Sequence, residues 1–77
     1  MDNKLSPLIA EVLHIPLEKV SNDLTMSEVE SWDSLHHMNL IASLEQTYGI
    51  DFTFDEIVVM QSVQEIKRVL REKGVEA

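Results

Sequence analysis

The chain has 77 residues and a formal charge of −8, from 14 acidic against 6 basic side chains. One domain, 1–77, is all this length allows, with a small core and little room for a deep enzyme cleft, because short chains bury a low fraction of their surface. The acidic excess argues against nucleic acid or an anionic membrane as partner, and the absence of cysteine excludes disulfides, thiolate metal sites and a cysteine nucleophile.

The first residues, Met1-Asp2-Asn3-Lys4, lack the basic region and apolar stretch of a signal peptide. No run approaches the roughly 20 apolar residues of a membrane span. The expected location is the cytoplasm. Leu5, Leu8, Ile9, Val12 and Leu13 then recur at i, i+3, i+4, i+7 and i+8, the template of an amphipathic helix. Pro7 suits a first turn and not an interior, so the start lies near Asp2 or at Ser6. The end is expected near His14, because Ile15 precedes Pro16 and that position disfavours the helical conformation.

Residues 15–33 show no sustained period. They read as a long loop with a short turn at Ser27 to Glu30, pinned to the core by Val20, Leu24, Met26 and Val29. Loops of this length in so small a domain are unusual and often functional. Asp33 can cap a second helix that opens at Ser34 and is stopped after Tyr48 by Gly49. Its apolar arc is wide: Leu35, Met38, Leu40, Ile41, Ala42, Leu44 and Tyr48. Its polar stripe is His36, Asn39, Ser43 and Gln46.

Ile50-Asp51-Phe52 reads as extended. Thr53-x-x-Glu56 is a capping box for a short helix through about Met60, and Ser62-x-x-Glu65 opens a last one. In that last helix Val63, Ile66, Val69 and Leu70 face inward. Lys67, Arg68, Arg71 and Lys73 cluster toward its C-terminal half, where positive charge complements the helix dipole, and Gly74 ends it. The sum is an all-α fold of four helices, the third short, with a long loop between the first and second.

Ser34 stands out. It follows the long loop, lies beside Asp33 and opens a helix, where a phosphate would meet free backbone N–H groups and the positive dipole end. Local chemistry also fits an ordinary N-cap pair. A hydrolase relay of Asp33, Ser34 and His36 or His37 is poorly served, because side chains this close along a helix start do not line up as nucleophile, base and orienter. His36 and His37 are also poor metal ligands: adjacent helical positions diverge and no i+4 partner completes a set. They read as exposed polar residues near the serine, or as groups that tune recognition near neutral pH.

Trp32-Asp33-Ser34-Leu35 resembles the Asp-Ser-Leu signature of acyl carrier proteins and related carrier domains. The likeness runs across nearly the whole chain: the first helix closing on Leu13-His14-Ile15, the long loop, Leu44-Glu45-Gln46-Thr47-Tyr48-Gly49, Ile50-Asp51-Phe52, Asp55-Glu56-Ile57 and Ser62-Val63-Gln64-Glu65-Ile66. The resemblance implies an acyl-carrier-like four-helix bundle, monomeric and without catalytic residues or metal. It implies that a phosphopantetheinyl transferase draws on coenzyme A to attach 4′-phosphopantetheine to Ser34. The arm's thiol then carries an acyl or aminoacyl group as a thioester to ligases, synthases or transferases of lipid or polyketide biosynthesis. Asp33 becomes the motif aspartate, and Leu35 the motif leucine, packed under the helix start. Met38, Leu40, Ile41, Leu44, Phe52, Ile57 and Met60 match positions between which an acyl chain can shelter, although such residues at helical spacing usually form plain core.

The chain departs from the pattern at the surface. Carriers of fatty acid synthesis typically place several acids on the exposed face of the second helix. Here residues 34–48 hold one acid, Glu45, and no Lys or Arg. His36 and Asn39 stand where acids are common, and Trp32 replaces a small residue. These departures point to a specialised carrier outside housekeeping fatty acid synthesis. They also fit a peptidyl or aminoacyl carrier, and an unmodified helical interaction module is the alternative from another class. Residues 1–66 carry 12 acids and 2 bases, a net of −10, while residues 67–77 carry 4 bases and 2 acids, a net of +2.

Overall fold

A computed structural model describes residues 4–75. Among these described residues four α-helices follow one another: α1 Leu5–Leu13, α2 Ser34–Tyr48, α3 Phe54–Val59 and α4 Val63–Glu72. No strand forms among the described residues; Thr25 and Ser62 make an isolated antiparallel bridge. Also among the described residues, no helix is long and apolar enough to cross a membrane.

The start of α1 falls at Leu5, which puts Pro7 in its first turn, where its missing N–H costs nothing. The alternative start near Asp2 lies outside the described residues. α1 ends at Leu13, with His14 as its cap, near His14 as expected. His14 itself adopts the left-handed conformation, φ 57°, and Ile15 N–H closes back on the Ala10 carbonyl at 3.0 Å. Gly49 ends α2 in the same way, at φ 65°, its N–H bonded to the Glu45 carbonyl at 2.9 Å.

α3 has its capping box in full: Thr53 Oγ1 accepts from Glu56 N–H at 3.2 Å, and Glu56 Oε1 accepts from Thr53 N–H at 2.8 Å. At α4 only half of the expected box is used. Ser62 Oγ accepts from Glu65 N–H at 3.1 Å, while the Glu65 carboxylate turns to Arg68 at 2.6 Å. Arg68 also reaches Glu72 at 2.9 Å, giving α4 an exposed ladder of charge along one side.

The core gathers one face of each long helix. Leu5, Ile9 and Leu13 of α1 meet Leu40, Ile41 and Leu44 of α2 and Val63, Ile66, Val69 and Leu70 of α4, with Trp32, Phe52 and Met60 closing it. Each helical residue among these lies three or four positions from another on its own helix, so helical periodicity becomes a packed interior.

The segment between α1 and α2 is well tied. It holds two short 3₁₀ turns, Leu17–Lys19 and Met26–Glu28, the second with its own Thr25/Glu28 capping box. Val20, Leu24, Met26 and Val29 pack against the core as expected. Its backbone pairs with the junction between α3 and α4: Met26 N–H donates to Gln61 O at 2.8 Å, and Val63 N–H to Leu24 O at 3.0 Å. Ser31 Oγ–H donates to the Leu13 carbonyl at the end of α1. Main-chain groups that would otherwise be stranded under the loop are thereby satisfied, and the loop delivers Trp32 and Asp33 to the start of α2 in a defined position.

Candidate functional site

The site is the first turn of α2. Asp33 is extended, with φ −101° and ψ −174°, and its Oδ1 accepts the backbone N–H of His36 at 2.9 Å. The same oxygen lies 2.8 Å from His36 Nδ1. The His36 backbone N–H, and after it the imidazole, hold the Asp33 carboxyl below the usual carboxylate value. Asp33 therefore does the capping, and the Ser34 hydroxyl takes no part in that bond. Ser34 is the first helical residue and is exposed.

Leu35 corrects an expectation. It does not pack under the helix start but stands 67% exposed. Met38 is likewise outside the core, at 52%. The apolar arc of α2 is narrower than its composition suggests, because the buried face is His37, Leu40, Ile41 and Leu44, with Tyr48 half-buried beyond. Of the positions matched to acyl shelter, Leu40, Ile41, Leu44, Phe52 and Met60 are core, Ile57 packs against them half-buried, and only Met38 faces out.

His37 is the larger correction. It is not an exposed polar residue: it is 7% exposed, and Trp32 beside it is 2% exposed. The Trp32 indole N–H donates to His37 Nδ1 at 3.0 Å, and His37 Nε2 lies 2.9 Å from the Ile57 carbonyl. An indole nitrogen can only donate. Nδ1 must therefore accept, and the ring is the neutral tautomer whose Nε2–H donates to α3. The pattern held a signal for this: residue 37 sits at i, i+3, i+4, i+7 and i+11 with Leu40, Ile41, Leu44 and Tyr48. The partner, Trp32, lies outside the helix and carries no such mark.

His36 points the other way. It is half-buried at the surface, and its ring meets the His14 ring edge-on, with centroids 5.8 Å apart and planes at 85°. The two adjacent imidazoles thus diverge, as neighbouring helix positions must. Leu35, Met38 and Asn39 are exposed on α2, as are Val58 and Val59 on α3.

A family model described as the phosphopantetheine attachment site matches residues 3–70. Its match over most of the chain makes this a phosphopantetheine-binding carrier, whose working group is a covalently attached 4′-phosphopantetheine. The chain is 30% identical over 63 residues to the acyl carrier protein of Lactobacillus johnsonii, covering 82% of this chain and 79% of that one. It is 28% identical over 71 residues to the acyl carrier protein of Buchnera aphidicola subsp. Baizongia pistaciae, covering 92% and 91%. The acyl carrier protein of Thermosynechococcus vestitus is 27% identical over 70 residues, covering 91% and 86%. The chain belongs to the acyl carrier protein family. Such a protein carries cargo between enzymes and is not itself an enzyme.

Proposed function

We propose that Ser34 is the attachment point of the phosphopantetheine arm, with Asp33 and Leu35 flanking it as recognition residues. One observation carries this reading: Ser34 is an exposed hydroxyl on the first residue of a 15-residue helix whose cap is supplied by another residue. In the modification, Ser34 Oγ bonds to the phosphorus that bears the pantetheine. The pyrophosphate bond of coenzyme A breaks, adenosine 3′,5′-bisphosphate leaves, and the hydroxyl proton passes to a base of the transferase. The arm's thiol then supplies the sulfur that the cysteine-free chain lacks. The protein acts as a single-domain monomer, in the cytoplasm where coenzyme A and the transferase are found.

The carrier serves a dedicated ligase, synthase or transferase outside housekeeping fatty acid synthesis. The support is the surface of α2. Leu35, Met38, Asn39, Ala42, Gln46 and Thr47 are exposed and uncharged, and Glu45 is turned toward the backbone of Phe52. A basic patch on a partner finds little there to read. The same surface fits an aminoacyl cargo as well as an acyl one.

The test is an intact mass after incubation with coenzyme A and a broad-specificity phosphopantetheinyl transferase. A single phosphopantetheine should be gained, and Ser34→Ala should gain none. No addition with several transferases would leave an unmodified interaction module as the better account. For the pathway, the holo-protein should be a poor acceptor of malonyl groups from the transacylase of fatty acid synthesis, and efficient loading would contradict the specialised role.

A further inference from the structure

Among the described residues His37 is the one buried polar or charged side chain. Carrying a thioester on Ser34 requires no imidazole in the core. A leucine would continue the run of Leu40, Ile41 and Leu44, and burying a polar ring is costly unless every polar atom is paired. Both ring nitrogens are paired here, and they join three separate pieces of chain: the end of the loop at Trp32, the first turn of α2, and α3 at Ile57.

α3 has six residues, too few to persist as an isolated helix. Its N-terminal end is held by the Thr53/Glu56 box and by Lys73 Nζ, just past the end of α4, 2.9 Å from Glu56 Oε1. Ile57 belongs to its last turn; its carbonyl accepts only a long bond from the Met60 N–H of the cap, at 3.4 Å, and His37 Nε2–H adds a shorter one at 2.9 Å. Met38 and Val58 follow the bonded residues directly in the chain and are 52% and 47% exposed. The bond thus joins the last turn of α3, which carries the exposed Val58 and Val59, to the first turn of α2, which carries the exposed Leu35, with Met38 just beyond it.

We propose that His37, oriented by Trp32, is a positioning residue for partner recognition: it holds α3 against the first turn of α2 so that the transferase meets one apolar face beside Ser34. The role rests on Ser34 as the modification site. The two nitrogens can be separated by substitution. A glutamine places its amide nitrogen where Nε2 sits and keeps the bond to Ile57. An asparagine places its amide oxygen where Nδ1 sits, keeps the bond to Trp32 and releases α3.

The experiment measures transferase kcat and KM on wild type, His37→Asn, His37→Gln, Val58→Ala and the double variant His37→Asn with Val58→Ala, with amide hydrogen exchange of residues 54–60 on each. Assays run well below the thermal midpoint of the least stable variant. His37→Asn should raise KM about five- to tenfold, the worth of one hydrogen bond, with kcat nearly unchanged and faster exchange in α3. His37→Gln should restore both readouts. Val58→Ala, on an exposed position that does not threaten folding, should raise KM without faster exchange, and its effect should not add to that of His37→Asn. A purely structural role predicts the opposite split: lower thermal midpoints and faster exchange with KM unmoved, which would overturn the proposal. So would a His37→Gln variant as impaired as His37→Asn. A wild-type chain that gains no phosphopantetheine would instead defeat the Ser34 reading, and this role with it.

Discussion

Glu45 Oε2 accepts the backbone N–H of Phe52 at 3.0 Å. The one acid of α2 is therefore half-buried and committed to the chain that follows its own helix. Glu45 also lies in the last turn of α2, where its carbonyl receives the N–H groups of Gly49 and Ile50. One residue thus holds the reversal that turns α2 into the extended 50–52 segment and sets Phe52 into the core.

Replacing this acid should act on stability before it acts on recognition. Glu45→Lys leaves the Phe52 N–H without its acceptor and should cost about 1–3 kcal/mol. Glu45→Gln keeps an acceptor oxygen and should recover most of that loss. Urea unfolding of the three proteins checks the ordering; a Glu45→Lys chain as stable as wild type would show that water replaces the carboxylate at no cost.

Leu35 and Met38 should behave in the opposite sense. Both are more than half exposed, so Leu35→Ala and Met38→Ala should shift unfolding by no more than about 0.5 kcal/mol. Each should weaken partner binding more than charge reversal at Glu45 does, once the Glu45 variant is assayed where it is fully folded. Equal or greater loss of binding at Glu45 would mean that its charge is read directly.

Acid should loosen both capped helix starts. Asp33 is held below the ordinary 3.8 by the His36 backbone N–H and then its ring, and Glu56 below the ordinary 4.5 by the Thr53 backbone N–H and then Lys73. A depressed folded value means stability that is fully present above the unfolded value and lost as pH falls through the folded one. Unfolding midpoints should therefore be flat for these groups above the ordinary values and fall below them. Asp33→Asn keeps a capping oxygen without the charge and should make that fall shallower. An unchanged slope would show that the cap does not depend on ionisation.

The two left-handed turns give a paired test of backbone strain. Gly49 has φ 65°, and a Cβ there would meet nothing within 4 Å. Gly49→Ala should therefore cost only the backbone penalty, about 1–2 kcal/mol. His14 already bears that penalty at φ 57°. His14→Gly relieves it at the expense of the His36 ring contact and of a freer unfolded chain, so the thermal midpoint should stay level or rise. A clear drop would assign real stabilising weight to the His14–His36 contact.

Helix boundaries were largely legible in the residues. Asp33 before Ser34, Gly49 after Tyr48 and Thr53-x-x-Glu56 each act within one turn of chain, so local spacing suffices to read them. The first helix ends near His14 as read, but its means of ending was not legible: His14 takes up a left-handed turn that glycine usually occupies. The orientation of α2 was less legible. Its sequence offers two apolar arcs, one through Leu35 and Met38 and one through Leu40, Ile41 and Leu44, and a helix can bury either.

By itself the sequence determined the four helices, the long connection before Ser34, and the family, since periodicity, capping and a short motif are properties of neighbouring residues. Only the tertiary structure decided which face of α2 is buried. That choice turned on partners outside the helix: Trp32 supplies a donor and Ile57 an acceptor to His37, so a polar ring can enter the core while Leu35 and Met38 stay in water. Burial of a polar group follows from whether its hydrogen bonds can be met, and those bonds come from segments that only folding brings together.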